Sequence, residues 1–108
     1  MKDTVTILRK LKQLLKQHFH DDIKDVILFG SQATGTAHEN SDYDVLIVLN
    51  RDNYDWKYKK RLRYVCYDIA LQYDIFLDVK VISLYELHNT IKGKHFLFTN
   101  ALAQGVYA

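Results

Sequence analysis

Leu28-Phe29-Gly30-Ser31 and, after ten intervening residues, Asp42-Tyr43-Asp44-Val45-Leu46-Ile47-Val48-Leu49 are the two stretches whose reading decides the fold of this chain. In the first, the apolar run Asp25-Val26-Ile27-Leu28-Phe29 closes on glycine, as a short buried strand entering a turn does. The second holds five aliphatic residues in succession, Val45 to Leu49, which suits a central strand covered on both faces. Residues 31–40 between them are rich in Gly, Thr, Ser and Asn and read as a loop, with room for one helical turn near its start.

Before these strands, Val5, Leu8, Leu11, Leu15 and Phe19 recur every three or four residues with Lys and Arg between them, the stripe of an amphipathic helix. After them, Asn50 to Asn53 breaks the strand, and Trp56, Leu62, Val65, Cys66, Ile69, Ala70 and Tyr73 fit a long second helix. Ile75 to Ile82 reads as a third strand. Ser83-Leu84-Tyr85-Glu86 is a capping box, predicting a short helix from Leu84 to about Ile91, and a last helix is expected from about Phe96 to Ala103. No repeat, proline or linker interrupts this order, so residues 1–108 are expected to form one domain.

Composition bounds the rest. Apolar residues make up 48% of the 108, which excludes a disordered segment. A formal charge of +2 makes no strong case for direct nucleic-acid binding, and the basic stretches Lys2–Lys16 and Lys57–Arg63 read as solvated helix faces. The lone Cys66, set among Val65, Ile69 and Ala70, reads as core filler. No apolar run approaches the ~20 residues of a membrane span, and a soluble, cytoplasmic protein is expected.

The chemistry lies in the two opening stretches. Residues two apart on a strand share a face about 6.5 Å apart, so Asp42 and Asp44 project together. Paired carboxylates repel unless a cation balances them, and hard oxygen ligands favour Mg²⁺. Gly30 allows close approach of backbone to a ligand, while Ser31 and the amides after it can face a phosphate. The Gly-Lys-Ser/Thr ending of a Walker A loop is missing, which disfavours a P-loop enzyme.

Gly30-Ser31-Gln32-Ala33-Thr34-Gly35 followed by Ser41-Asp42-Tyr43-Asp44 resembles the signature of the minimal nucleotidyltransferases of the DNA polymerase beta superfamily. The resemblance implies an α/β (α+β) fold, a small mixed β-sheet of three to four strands flanked by helices. It implies Mg²⁺-dependent transfer of a nucleotide, most often AMP from ATP, with two ions on Asp42 and Asp44. A third carboxylate on the adjacent strand is expected, and Asp78 matches it best. Asp78 would coordinate metal and take the proton of the attacking hydroxyl, while Gly30, Ser31 and the position of Thr34 would face the nucleotide. Many members carry arginine at the position of Thr34, so a charge partner for phosphate is missing here.

Stand-alone members of this family pair with a separate HEPN-domain toxin, so the resemblance implies an antitoxin that adenylylates a hydroxyl of its partner. Small-molecule modification, as by aminoglycoside nucleotidyltransferases, and a non-catalytic partner-binding antitoxin are the alternatives. The five histidines show no zinc spacing, and His38 and Glu39 lie in the loop where substrate would sit. Tyr54, Trp56, Tyr58, Tyr64, Tyr67 and Tyr73 read as core and interface. Tyr54 and Trp56 are also candidates for contacting a nucleobase.

Overall fold

Alternation along the central strand sorts the chain into two layers around a sheet. The computed structural model describes residues 4–30 and 42–108. Strand β2 (Tyr43–Leu49) sends Val45, Ile47 and Leu49 to one face and Leu46 and Val48 to the other, and all five are buried. Both faces are therefore covered, as the unbroken aliphatic run requires.

The first layer is made by helices α1 (Thr4–Phe19) and α2 (Trp56–Tyr73). From α1 come Ile7, Leu8, Leu11, Leu15 and Phe19; Val5, expected in this stripe, is half exposed, and Ile7 takes its place one turn before Leu11. From α2 come Tyr58, Leu62, Val65, Cys66 and Ile69. Trp56, also expected to face the core, is the first residue of the helix and 68% exposed, so Tyr58 begins the buried stripe instead. The second layer holds helices α3 (Leu84–Asn89) and α4 (Phe96–Gln104), which cover Ile27, Leu46, Val48 and Ile82 with Phe98, Ala101, Leu84 and Leu87.

Four strands form the sheet in the order β3-β2-β1-β4. Strand β1 (Ile23–Phe29) runs antiparallel to β2, with Phe29 opposite Asp44, and a bulge between Ile23 and Asp25 lets the strand start two residues before the expected Asp25. Strand β3 (Leu77–Ser83) runs parallel to β2, and α2 supplies the long crossover that parallel pairing needs. It begins at Leu77 rather than Ile75. The reason is the helix end: Asp74 closes α2 in the left-handed region, and the Ile75 amide donates back to the Ala70 carbonyl instead of to the sheet.

Strand β4 (Val106–Tyr107) pairs antiparallel with Ile27 and Leu28. The Ala108 amide donates to Val26 (2.9 Å), and Lys12 Nζ donates to the Ala108 carbonyl (2.8 Å), tying this strand to α1. Local caps agree with the sequence. The Asp55 carboxylate accepts from the Tyr58 amide at 2.8 Å, and Ser83 with Glu86 forms the reciprocal capping box at 3.0 and 3.1 Å. Helix α3 stops at Asn89, short of Ile91, because Thr90 is extended and Ile91–Lys94 forms a tighter 3-10 turn. Among the described residues no helix is long and apolar enough to cross a membrane.

Candidate active site

Gly30 ends β1 with φ +73°, a conformation that side chains resist. A Cβ at this position would overlap the Asp44 carboxylate, so the absence of a side chain leaves room for that group at the strand end. Sequence reasoning assigned Gly30 to close approach of a ligand; the structure gives it close approach to Asp44 as well. Phe29 pairs with Asp44 across β1 and β2, which places the glycine turn beside the carboxylate.

Asp44 and Asp78 are direct register partners across the parallel pair β2–β3. The neighbour expected from strand spacing is therefore present. Burial pushes the Asp44 carboxyl above the usual carboxylate range, the negative charges of Asp78 and then Asp42 push it the same way, and Lys80 opposes them. A hydrogen bond that Asp44 can donate to Asp78 only when protonated adds to the shift. Asp42 stands just before β2 and is exposed.

The sequence offers Lys80 as an ion-pair partner of Asp78, and the structure forms that pair. Lys80 lies two residues after Asp78 on β3, so both project from one face, and its Nζ is 3.3 Å from Asp78 Oδ1. The Asp78–Lys80 pair and the placement of Asp78 on an edge strand are also what a purely structural aspartate would show. What exceeds that reading is the register with Asp44. Among the described residues no group of three or more His, Cys, Asp and Glu side chains is gathered around one metal-sized point. The donor set of hard carboxylate oxygens, with Gly30 making room for that of Asp44, fits Mg²⁺.

Ser31, Thr34, His38 and Glu39, with the rest of the loop 31–41, lie outside the described residues. The structure does not bring Tyr54 or Trp56 to the carboxylates. Both follow Leu49 at the far end of β2, five residues or about 16 Å along the strand from Asp44. The Tyr54 hydroxyl donates to the Val81 carbonyl (3.4 Å) and accepts from Lys92 (3.2 Å), so it packs against β3 rather than facing a base. Trp56 carries Lys57 over its ring, at 5.8 Å. Cys66 is fully buried, and burial pushes its thiol up to about 12, which suits core filling and not nucleophilic chemistry.

The sequence pattern of the family described as "Nucleotidyltransferase domain" matches residues 8–98, a span that holds β1, β2, β3 and all three aspartates. The chain belongs to this family. A Methanocaldococcus jannaschii protein named "Putative protein adenylyltransferase MJ1379" is 34% identical over 83 residues, 77% of this chain and 77% of that protein. A second protein of that organism, "Putative protein adenylyltransferase MJ1305", is 52% identical over 42 residues, 39% of this chain but only 29% of the relative. Among solved structures, the "Crystal structure of the toxin-antitoxin with AMP-PNP" superposes with a TM-score of 0.62 at 22% identity, covering 92% of this chain and 69% of that one. At that identity the likeness is one of fold, and the nucleotidyltransferase fold is the one that the paired carboxylates occupy here.

Proposed function

We propose that this nucleotidyltransferase moves AMP from ATP to a hydroxyl group of a separate protein, with Asp42, Asp44 and Asp78 as its reacting carboxylates. One observation carries the reading: Asp44 and Asp78 face each other across β2 and β3, beside the glycine that ends β1. The adenylyltransferase names of the relatives and the AMP-PNP in the structural neighbour support ATP as the donor.

Asp42 and Asp44 would hold Mg²⁺, for which two ions are expected, with Asp78 as a further ligand. The metal, when bound, supplies positive charge against the triphosphate and the departing pyrophosphate. The protein's own residues do the remainder. Gly30 and Ser31 would offer backbone amides and a hydroxyl to the outer phosphates. Asp78 would accept the acceptor's proton as its oxygen bonds to the α-phosphorus and the bond to pyrophosphate breaks. Lys80, whose Nζ lies 3.3 Å from Asp78 Oδ1, would orient that carboxylate. Such transfer rests on positioning and charge stabilisation, so no covalent nucleophile is needed.

The toxin–antitoxin neighbour supports a partner protein as acceptor, and a HEPN-domain toxin silenced by adenylylation is the partner we propose. The test is incubation with Mg²⁺ and either α- or γ-labelled ATP, in the presence of candidate acceptor proteins and with Asp42→Asn as control. Protein label from the α-position alone, lost in the variant, supports the reading. Label from the γ-position would make the protein a kinase and refute it. Label appearing only in small molecules would favour an aminoglycoside-type acceptor.

A further inference from the structure

At the end of β2 away from the carboxylates, the turn that follows Leu49 and the first turns of α2 enclose a hollow of about 670 Å³. Arg51, Lys57 and Arg61 bring three cations to its lining, and Asp55 brings a carboxylate. Asp55 is already engaged as the cap of α2, accepting from the Tyr58 amide at 2.8 Å. Both guanidinium groups are seated on rings. Arg51 lies 4.3 Å over the Tyr58 ring, donates to the Asn53 carbonyl at 3.1 Å and pairs with Asp22 at 3.3 Å. Arg61 stands 6.0 Å from the centre of the same ring and 5.2 Å from that of Phe19. Tyr58 and Phe19 are buried, and the Tyr58 hydroxyl donates to Asp22 at 2.9 Å, so the rings that carry the cations are themselves fixed. Among the described residues neither Lys57 nor Arg61 forms an ion pair. A merely solvated helix face needs no such seating. Held cations without a counter-charge, guanidinium among them, suit an oxyanion such as phosphate.

Charge and aromatic rings narrow the ligand. Residues 51–63 carry six Lys and Arg against Asp52 and Asp55, a local surplus of four where the whole chain has two. Asp22 offsets one of the six. Lys57 and Arg61 stand one helical turn apart, about 6 Å, and Lys60 continues the band on the outer side of α2. A band of this length suits a chain of phosphates better than one small anion. Beside the hollow stands the exposed ring of Trp56, with Lys57 Nζ 5.8 Å from its centre. Tyr64, also exposed, repeats the arrangement two turns further along the same side, with Lys60 at 5.7 Å. Exposed rings flanked by cations offer nucleobases a stacking surface, which a string of carboxylates does not use.

We propose that this face binds single-stranded nucleic acid, with phosphates held by Arg51, Lys57 and Arg61 in the hollow and a base stacked on Trp56. The site lies apart from the reacting carboxylates and would hold the strand whatever the acceptor of the adenylyl group. An acidic protein segment is the competing occupant.

Trp56 is the only tryptophan of the chain, so its emission reports stacking directly. The test titrates the protein, in EDTA and at several salt concentrations, with a fluorescent 12-nucleotide oligouridylate, a 12-residue oligoglutamate and inorganic polyphosphate. The expected result is quenching of Trp56 by the oligonucleotide alone, which binds at least tenfold tighter than oligoglutamate. Trp56→Ala should weaken that binding by about fivefold or more. In Lys57→Gln and in Arg61→Gln the slope of log affinity against log salt should each fall by about 0.7, the loss of one phosphate contact on a single strand. Arg61 also covers the Phe19 and Tyr58 rings, so melting temperatures are compared; Lys57→Gln leaves those rings covered and keeps the result readable if Arg61→Gln melts lower. Equal binding of oligoglutamate overturns the proposal in favour of an acidic protein segment. Polyphosphate bound as tightly as the oligonucleotide, binding without quenching of Trp56, an unchanged salt slope in Lys57→Gln, or no binding at low salt overturns it as well.

Discussion

Replacing Asp44 by Asn should stabilise the metal-free protein while removing its activity. Asp44 and Asp78 are register partners, and Asp42 adds a third negative charge. Two unit charges about 5 Å apart interact by about 0.8 kcal/mol in water and about 3 kcal/mol at an effective dielectric constant of 20. The Asp78 side chain is 45% exposed and shares Lys80, so the screened end of that range applies, about 1 kcal/mol. For a chain of this size that is about 4 °C in melting temperature. The sign follows from linkage. The folded-state pKa of Asp44 is raised, so between its unfolded and folded values the native state binds more protons than the unfolded one. Stability is then reduced above the folded pKa and recovers as the pH falls through it, so the advantage of the variant should shrink on acidification. The assay is thermal melting in EDTA at neutral and acid pH, repeated with Mg²⁺. Wild type should melt below Asp44→Asn in EDTA and gain more from Mg²⁺. An Asn variant that melts at or below wild type in EDTA at neutral pH would refute the like-charge account.

Three further outcomes follow from the same geometry. Gly30→Ala should lower stability by at least the ~1–2 kcal/mol of a left-handed alanine, and Asp44→Ala in the same chain should restore part of it by clearing the overlap, both read by denaturant melts. Ser83→Ala removes the buried hydroxyl of the capping box and should cost about 1 kcal/mol in urea unfolding. Cys66 should resist thiol reagents in the folded protein at neutral pH and react on unfolding; rapid reaction in native buffer would contradict its burial.

Much of this was legible in the sequence where two constraints coincided. Strand β2 could be read end to end because its aliphatic run had to be buried on both faces, and α2 because its periodicity ran unbroken to Tyr73. Of the three carboxylates, the pairing of Asp44 with Asp78 follows from neighbouring strands in register, whereas Asp42, expected on the same strand face as Asp44, stands just before β2. Strand β4 was not legible, since two residues carry no period and exist as a strand only through pairing with Ile27 and Leu28. Trp56 and Tyr58 could not be told apart by hydrophobicity; the helix start at Asp55 decides which of them faces the core. The same limit applies to Leu71 and Phe76, which have the composition of core residues yet stand exposed, Leu71 on the outer side of α2 two residues after the buried Ile69 and Phe76 just before β3 begins.

The most direct measurement is of the products formed from ATP by the purified protein with Mg²⁺ and an acceptor protein, in wild type and in the Asp78→Asn variant. Adenylyl transfer through Asp78 yields pyrophosphate in an amount equal to the AMP gained by the acceptor, with both lost by at least a hundredfold in the variant. ADP and phosphate in place of pyrophosphate, or full turnover without Asp78, would contradict it.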